Sequence, residues 1–189
     1  MILWNSAEVY LKALVGELLG KPGKSELLTA DMGNVAIWQL ASNLANYSIK
    51  ESRFKEYVLL ALELYELVRS KRNYVVHGHP VLEGDGGPSK KSRSLSAKSG
   101  KGTISTKDAD LSLAALKFLA ETIALLNLAI LHSLGWLFAI AQQHEGKLKK
   151  PYSGPPFVGI GLLQNRIGLL RLQPHNARKP QHPPQSSPA

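Results

Sequence analysis

Apolar residues recur at intervals of three and four along four stretches of the chain, the period of one helix face. No stretch shows the sustained apolar–polar alternation of a half-buried strand. The first stretch spans about Ser6 to Leu19, with Val9, Leu11, Leu14, Val15, Leu18 and Leu19 on its apolar side, and Gly20 and Pro22 end it. The second is expected to start at Thr29 or Asp31, either of which can cap free amides, and carries Val35, Ile37, Trp38, Leu40, Ala41, Leu44 and Ala45 to a stop near Asn46–Ser48. The third runs from about Lys50 through Val76, with Phe54, Tyr57, Val58, Leu60, Ala61, Leu64, Tyr65, Leu67 and Val68 repeating at three and four and alternating charge through Glu51, Lys55, Glu56, Glu63, Glu66, Arg69 and Lys71 on the exposed side. Gly78 and Pro80 follow it. The fourth starts near Asp108 or Asp110, acids that suit a helix N-terminus, and continues to about Gln143. The fold class is therefore all-α.

At 189 residues one domain is the natural expectation, and the absence of cysteine removes disulfides, thiolate nucleophiles and Cys-ligated metals. Glu8 and Lys12 interrupt the apolar start, so no targeting segment is expected there and the chain is expected to be cytoplasmic. A net charge of +9 and a pI near 9.8 point to nucleic acid or another anionic surface. Residues 86–107 hold six cations and no acid, and residues 151–189 hold four and no acid, which leaves about −1 for the rest. The first of these is a Gly/Ser/Lys-rich segment, expected to be a flexible basic loop. The whole of 147–189 is expected to be a disordered, basic, Pro-rich tail, leaving a helical body over 1–146. Within that tail the string IGLL occurs twice, seven residues apart, too few copies for a repeat architecture.

Thr122 to Ala141 is twenty residues without formal charge, long enough to span a bilayer, with Lys147, Lys149 and Lys150 beyond it. Against a span stand Asn127, His132, Ser133 and Gln142, and three amphipathic helices that need a common apolar partner. The expectation is a buried central helix, with a membrane-anchored protein as an alternative.

One constellation carries chemistry. At the end of the third helix, Arg69, Asn73 and His77 stand at i, i+4 and i+8 and share a face if the helix persists to His77. Arg72 lies about 140° round from His77 at 100° per residue, within reach of its long side chain. Arg offers a fork of donors to phosphate oxygens, His exchanges protons near neutral pH, and Asn can orient a neighbour or a ribose. That set suits a phosphodiester and requires no metal or other cofactor.

The pattern R-N-x-x-x-H, Arg72 to His77, at the end of a long helix in a small helical chain resembles the HEPN family, over about 100 to 140 residues. The family hallmark is Arg, four to six residues, then His, often with a polar residue after the Arg. With seven Arg and six His, the bare spacing is expected by chance about 0.7 times in such a chain. Requiring Asn after the Arg lowers this to about 0.03. The resemblance implies a four-helix up-and-down bundle that forms a homodimer with two motifs lining one cleft. It also implies a metal-independent endoribonuclease of toxin–antitoxin or defence systems, with an antitoxin or other protein as a further partner. By it Arg72 contacts the scissile phosphate, His77 is general base or acid, and Asn73 supports them. Arg69 and Lys71, with Lys90, Lys91 and Arg93 of the basic loop, are the expected RNA-binding residues. Some family toxins carry a Tyr two residues after the His, the acceptor for nucleotide modification. Here His79 stands there, which argues against that form of control.

Other signals are weaker. His77, His79, Glu83 and Asp85 form no defined metal-ligand spacing, and Ser96 with Lys101-Gly102-Thr103 fails the phosphate-loop pattern. Trp4, Trp38 and Trp136 fall in apolar stripes and read as core, and His132 reads as a hydrogen-bonded core histidine. The alternative from another class is a non-catalytic helical module that binds RNA or protein.

Overall fold

The computed structural model of the chain describes residues 2–77, 79–80, 91–98, 103–110, 112–147 and 159–172. Among these, helix dominates: α1 (Ile2–Leu18), α2 (Ser25–Thr29), α3 (Asn34–Ser48), α4 (Ser52–His77), α5 (Leu113–His144) and α6 (Ile160–Leu172). Three short strands, β1 (His79–Pro80), β2 (Lys91–Lys98) and β3 (Thr103–Asp110), form one antiparallel sheet in the order β1-β2-β3. The chain divides into two compact units, Met1–Arg69 with Leu119–Leu172, and Ser70–Phe118 with Gln173–Ala189, so that α4 and α5 each contribute to both.

The first unit is built on apolar stripes. Leu11, Leu14 and Val15 of α1, Ile37 and Ala41 of α3, Val58, Leu62 and Tyr65 of α4 and Leu126 and Ile130 of α5 are almost wholly withdrawn from water. Burial of that kind is the main favourable term holding the helices together. Trp4 and Trp136 belong to this core as expected, with the Trp4 ring stacked on Tyr65 at 5.1 Å. Trp38 is half-buried and donates its indole N–H to the Leu62 carbonyl at 2.9 Å, tying α3 to α4. Glu8 of α1 accepts from both the Trp4 indole and the Asn34 amide, a second link from α1 to α3.

Helix ends follow local chemistry. Gly20, with φ of 65°, ends α1 as Lys21 N–H returns to the Gly16 carbonyl and Gly20 N–H to that of Glu17, the Schellman arrangement. Gly146 repeats it after α5, with Lys147 N–H on Gln142. Gly16 is needed for another reason: a Cβ there would stand 2.9 Å from the Ser25 Cβ, so only glycine lets α2 back onto α1. Glu51 caps α4 by accepting from the Arg53 and Phe54 amides.

Several expectations are corrected. Thr29 does not cap the second long helix; its hydroxyl donates to the Ser25 carbonyl and closes α2, and α3 starts after Gly33. Asp108 and Asp110 lie in β3, and α5 instead begins at Leu113 with the Ser112 hydroxyl accepting from Ala115 N–H at 3.2 Å. Within 86–107, expected to be a flexible loop, residues 91–98 and 103–107 belong to a strand pair that runs on to Asp110. Neither strand has an apolar face in its sequence, so alternation could not announce it.

Within 147–189, expected to be disordered, residues 160–172 form α6. Leu163, Ile167 and Leu170 of α6 are buried, and Arg171 pairs with Glu63 of α4. The IGLL repeat is the signal for it, because seven residues is close to two helical turns and returns the same residues to the same face. His132 is exposed rather than core, its Nδ1 3.5 Å from the Tyr57 hydroxyl, while Asn127 is buried and donates to the Leu3 carbonyl at 2.8 Å. Among the described residues α5 alone is long and apolar enough to cross a membrane. It buries one side, through Ile123, Leu126, Ile130 and Trp136, and exposes Leu128, Leu131 and Phe138 on another.

Candidate functional site

The expected site residues fall at the end of α4 and in the sheet that follows it. α4 is continuous from Ser52 to His77, which is the condition for Arg72, Asn73 and His77 to occupy its last two turns. Arg72 and Asn73 are both half-buried, and the Arg72 guanidinium donates from Nη1 to the Asn73 Oδ1 at 3.2 Å. This bond limits the swing of a long side chain. His77 is the last residue of the helix.

The neighbouring cations differ from a uniformly exposed basic cluster. Arg69, in the first unit, is bound by Nε and Nη2 to the two Glu66 oxygens at 2.6 Å each, a bidentate pair. The Glu66 hydrogen bond raises the Arg69 pKa, and burial opposes it. Lys71 is half-buried, and burial lowers its pKa. Neither side chain is the freely solvated cation that the sequence suggested.

The sheet adds residues that spacing along the chain could not place. β1 pairs with β2 so that His79, two residues beyond His77, is in register with Arg93, and Pro80 with Ser92. β2 pairs with β3 so that Arg93 is in register with Asp108 and Lys91 with Asp110. Thus Arg93 returns to the segment directly after the motif, and two of the basic-loop cations stand at register positions opposite acids. Opposite charges at such positions stabilise an antiparallel pair and weaken the local positive field. The tally of an acid-free segment ended one residue before Asp108 and missed this pairing. Lys90, Glu83 and Asp85 lie outside the described residues.

Chemically, the α4 end presents a half-buried guanidinium held by an amide, followed within five residues by an imidazole-bearing residue. That is a donor set for phosphate oxygens next to a residue type that moves protons. Comparison with protein-family models, with curated proteins and with solved structures finds no match for this chain.

Proposed function

We propose that the chain is a metal-independent endoribonuclease of the HEPN type, cytoplasmic, acting as a homodimer in a toxin–antitoxin or defence system. In this reading its helices form the four-helix up-and-down bundle of that family, with α2, α6 and the sheet as additions. Arg72 holds the scissile phosphate, Asn73 orients Arg72, and His77 takes the proton from the ribose 2′-OH as the oxygen attacks phosphorus. The partner subunit's His77 protonates the departing 5′-oxygen, leaving a cyclic phosphate. Two histidines are needed because one step requires a base and an acid at once.

The observation that supports this reading is the unbroken helix to His77 together with the Arg72–Asn73 hydrogen bond, the contact expected if Asn73 supports Arg72. Cleavage of a single-stranded RNA in excess EDTA tests it. His77→Ala and Arg72→Ala are each expected to lower the rate by about 100-fold or more, the usual contribution of a positioned acid, base or charge donor. Equal cleavage by all three proteins, with helicity unchanged, sinks the proposal.

A further inference from the structure

At one end of the first unit α1, α3 and α5 all terminate, and between them opens a cleft of about 670 Å³, within the size range of small-molecule sites. Leu18, Ser48 and His144, the last residues of the three helices, each line it. Each C-terminus carries a partial negative charge of about half an electron; at the α3 end it is met by Lys50 and Lys55, which donate to the Tyr47 and Asn46 carbonyls, so the ends of α1 and α5 carry the negative field of the cleft. Phe54 and Ile49 are buried in its wall, and Leu137 and Ile140 are half-buried there.

The charged groups around the cleft are spent elsewhere, with one exception. Lys50 donates to the Tyr47 carbonyl at 3.0 Å and sits 5.4 Å over the Tyr47 ring. Glu51 caps α4, and Glu145 pairs with Lys147 at 2.5 Å. The Glu17 carboxylate makes no hydrogen bond or ion pair among the described residues, and burial pushes its pKa up. A half-buried carboxylate facing a mostly apolar cleft is an uncompensated charge.

We propose that this cleft binds a small organic cation with an apolar body, its ammonium against Glu17 and the C-termini of α1 and α5 and its hydrocarbon over Phe54, Ile49 and Ile140. An anion does not fit the field: α4 offers the helix N-terminus at this end, and Glu51 already occupies its Arg53 and Phe54 amides. A hard divalent cation does not fit the walls, because it wants six or more oxygens. The cleft shares no residue with the α4 motif, and the proposal does not depend on ribonuclease activity.

Calorimetric titration of the full chain with octyltrimethylammonium, against octyl sulfonate of equal tail length at the same ionic strength, tests it. The ammonium probe is expected to bind saturably at one site and the sulfonate not at all. Glu17→Gln should weaken the ammonium probe by about tenfold, whereas Glu26→Gln, an exposed acid outside the cleft, should leave it unchanged. Ala141→Trp, which fills the cleft from α5, should abolish binding, and it decides the matter if the Glu17 variant does not fold. Equal binding of both probes, or unchanged affinity in Glu17→Gln or Ala141→Trp, overturns the proposal.

Discussion

Asn73 shows what a single residue adds to a short motif. From sequence it made an Arg–His spacing improbable by chance, and in the structure it accepts a hydrogen bond from Arg72. Arg69 and Lys71 went the other way. Their charges were legible, but the Glu66 partner of one and the burial of the other depend on side-chain packing that spacing does not encode. Glu17 carries a prediction at this scale. Burial raises its carboxyl above 4.5, so between 4.5 and the folded-state value the folded chain holds more protons than the unfolded one. Stability from this group therefore falls as pH rises through that interval. Urea midpoints of wild type and Glu17→Gln from pH 4 to 8 should diverge in favour of the variant as pH rises; curves that stay parallel would show that Glu17 is not desolvated.

At the scale of elements, the four long helices were legible because each has an apolar stripe of period 3.6, and the C-terminal stops of α1, α4 and α5 were legible as Gly and Pro, while α3 ends at Ser48 without either. Their starts were not. Thr29, Asp31, Asp108 and Asp110 are all competent caps by type, and which residue caps is settled by where the backbone turns. Ser112→Ala removes the acceptor used at the start of α5 and should cost about 1 kcal/mol, seen as a thermal midpoint lower by about 2–4 °C. An unchanged midpoint would mean that the cap contributes nothing. α6 was hidden by its surroundings, a Pro-rich composition on both sides, although its IGLL pair carried a heptad. Leu163 is 1% exposed, so Leu163→Ala should cost about 2–5 kcal/mol by denaturant unfolding if α6 is part of the folded core. A loss below about 0.5 kcal/mol would instead mark α6 as a surface addition.

For the whole molecule, the partition of charge changes meaning. The ten cations assigned to unfolded segments include Arg171, paired with Glu63, and Lys91 and Arg93, in register with Asp110 and Asp108. These acids are already counted in the net +9, so the pairings do not lower the total; they make its excess less concentrated on these segments, and it acts as a diffuse attraction for polyanions. If Lys91 and Arg93 contact RNA phosphates, Lys91→Gln with Arg93→Gln should lower the slope of log affinity against log salt by about 1.4 for a single strand. Fluorescence anisotropy with a labelled RNA between 50 and 300 mM salt measures it. An unchanged slope would mean that the registered aspartates, not RNA, are their partners.

The sequence by itself determined the helical class, the long apolar α5, the continuous α4 and the position of Arg72, Asn73 and His77 at its end, because these rest on periodicity and spacing within one element. Only the tertiary structure decided which residues meet from distant parts of the chain: Glu66 or Glu63 with an arginine, Arg93 with His79 and Asp108, three helix C-termini around Glu17. Such pairings depend on strand register and helix packing, which are set by the burial of many residues together and leave no local mark on the residues they join.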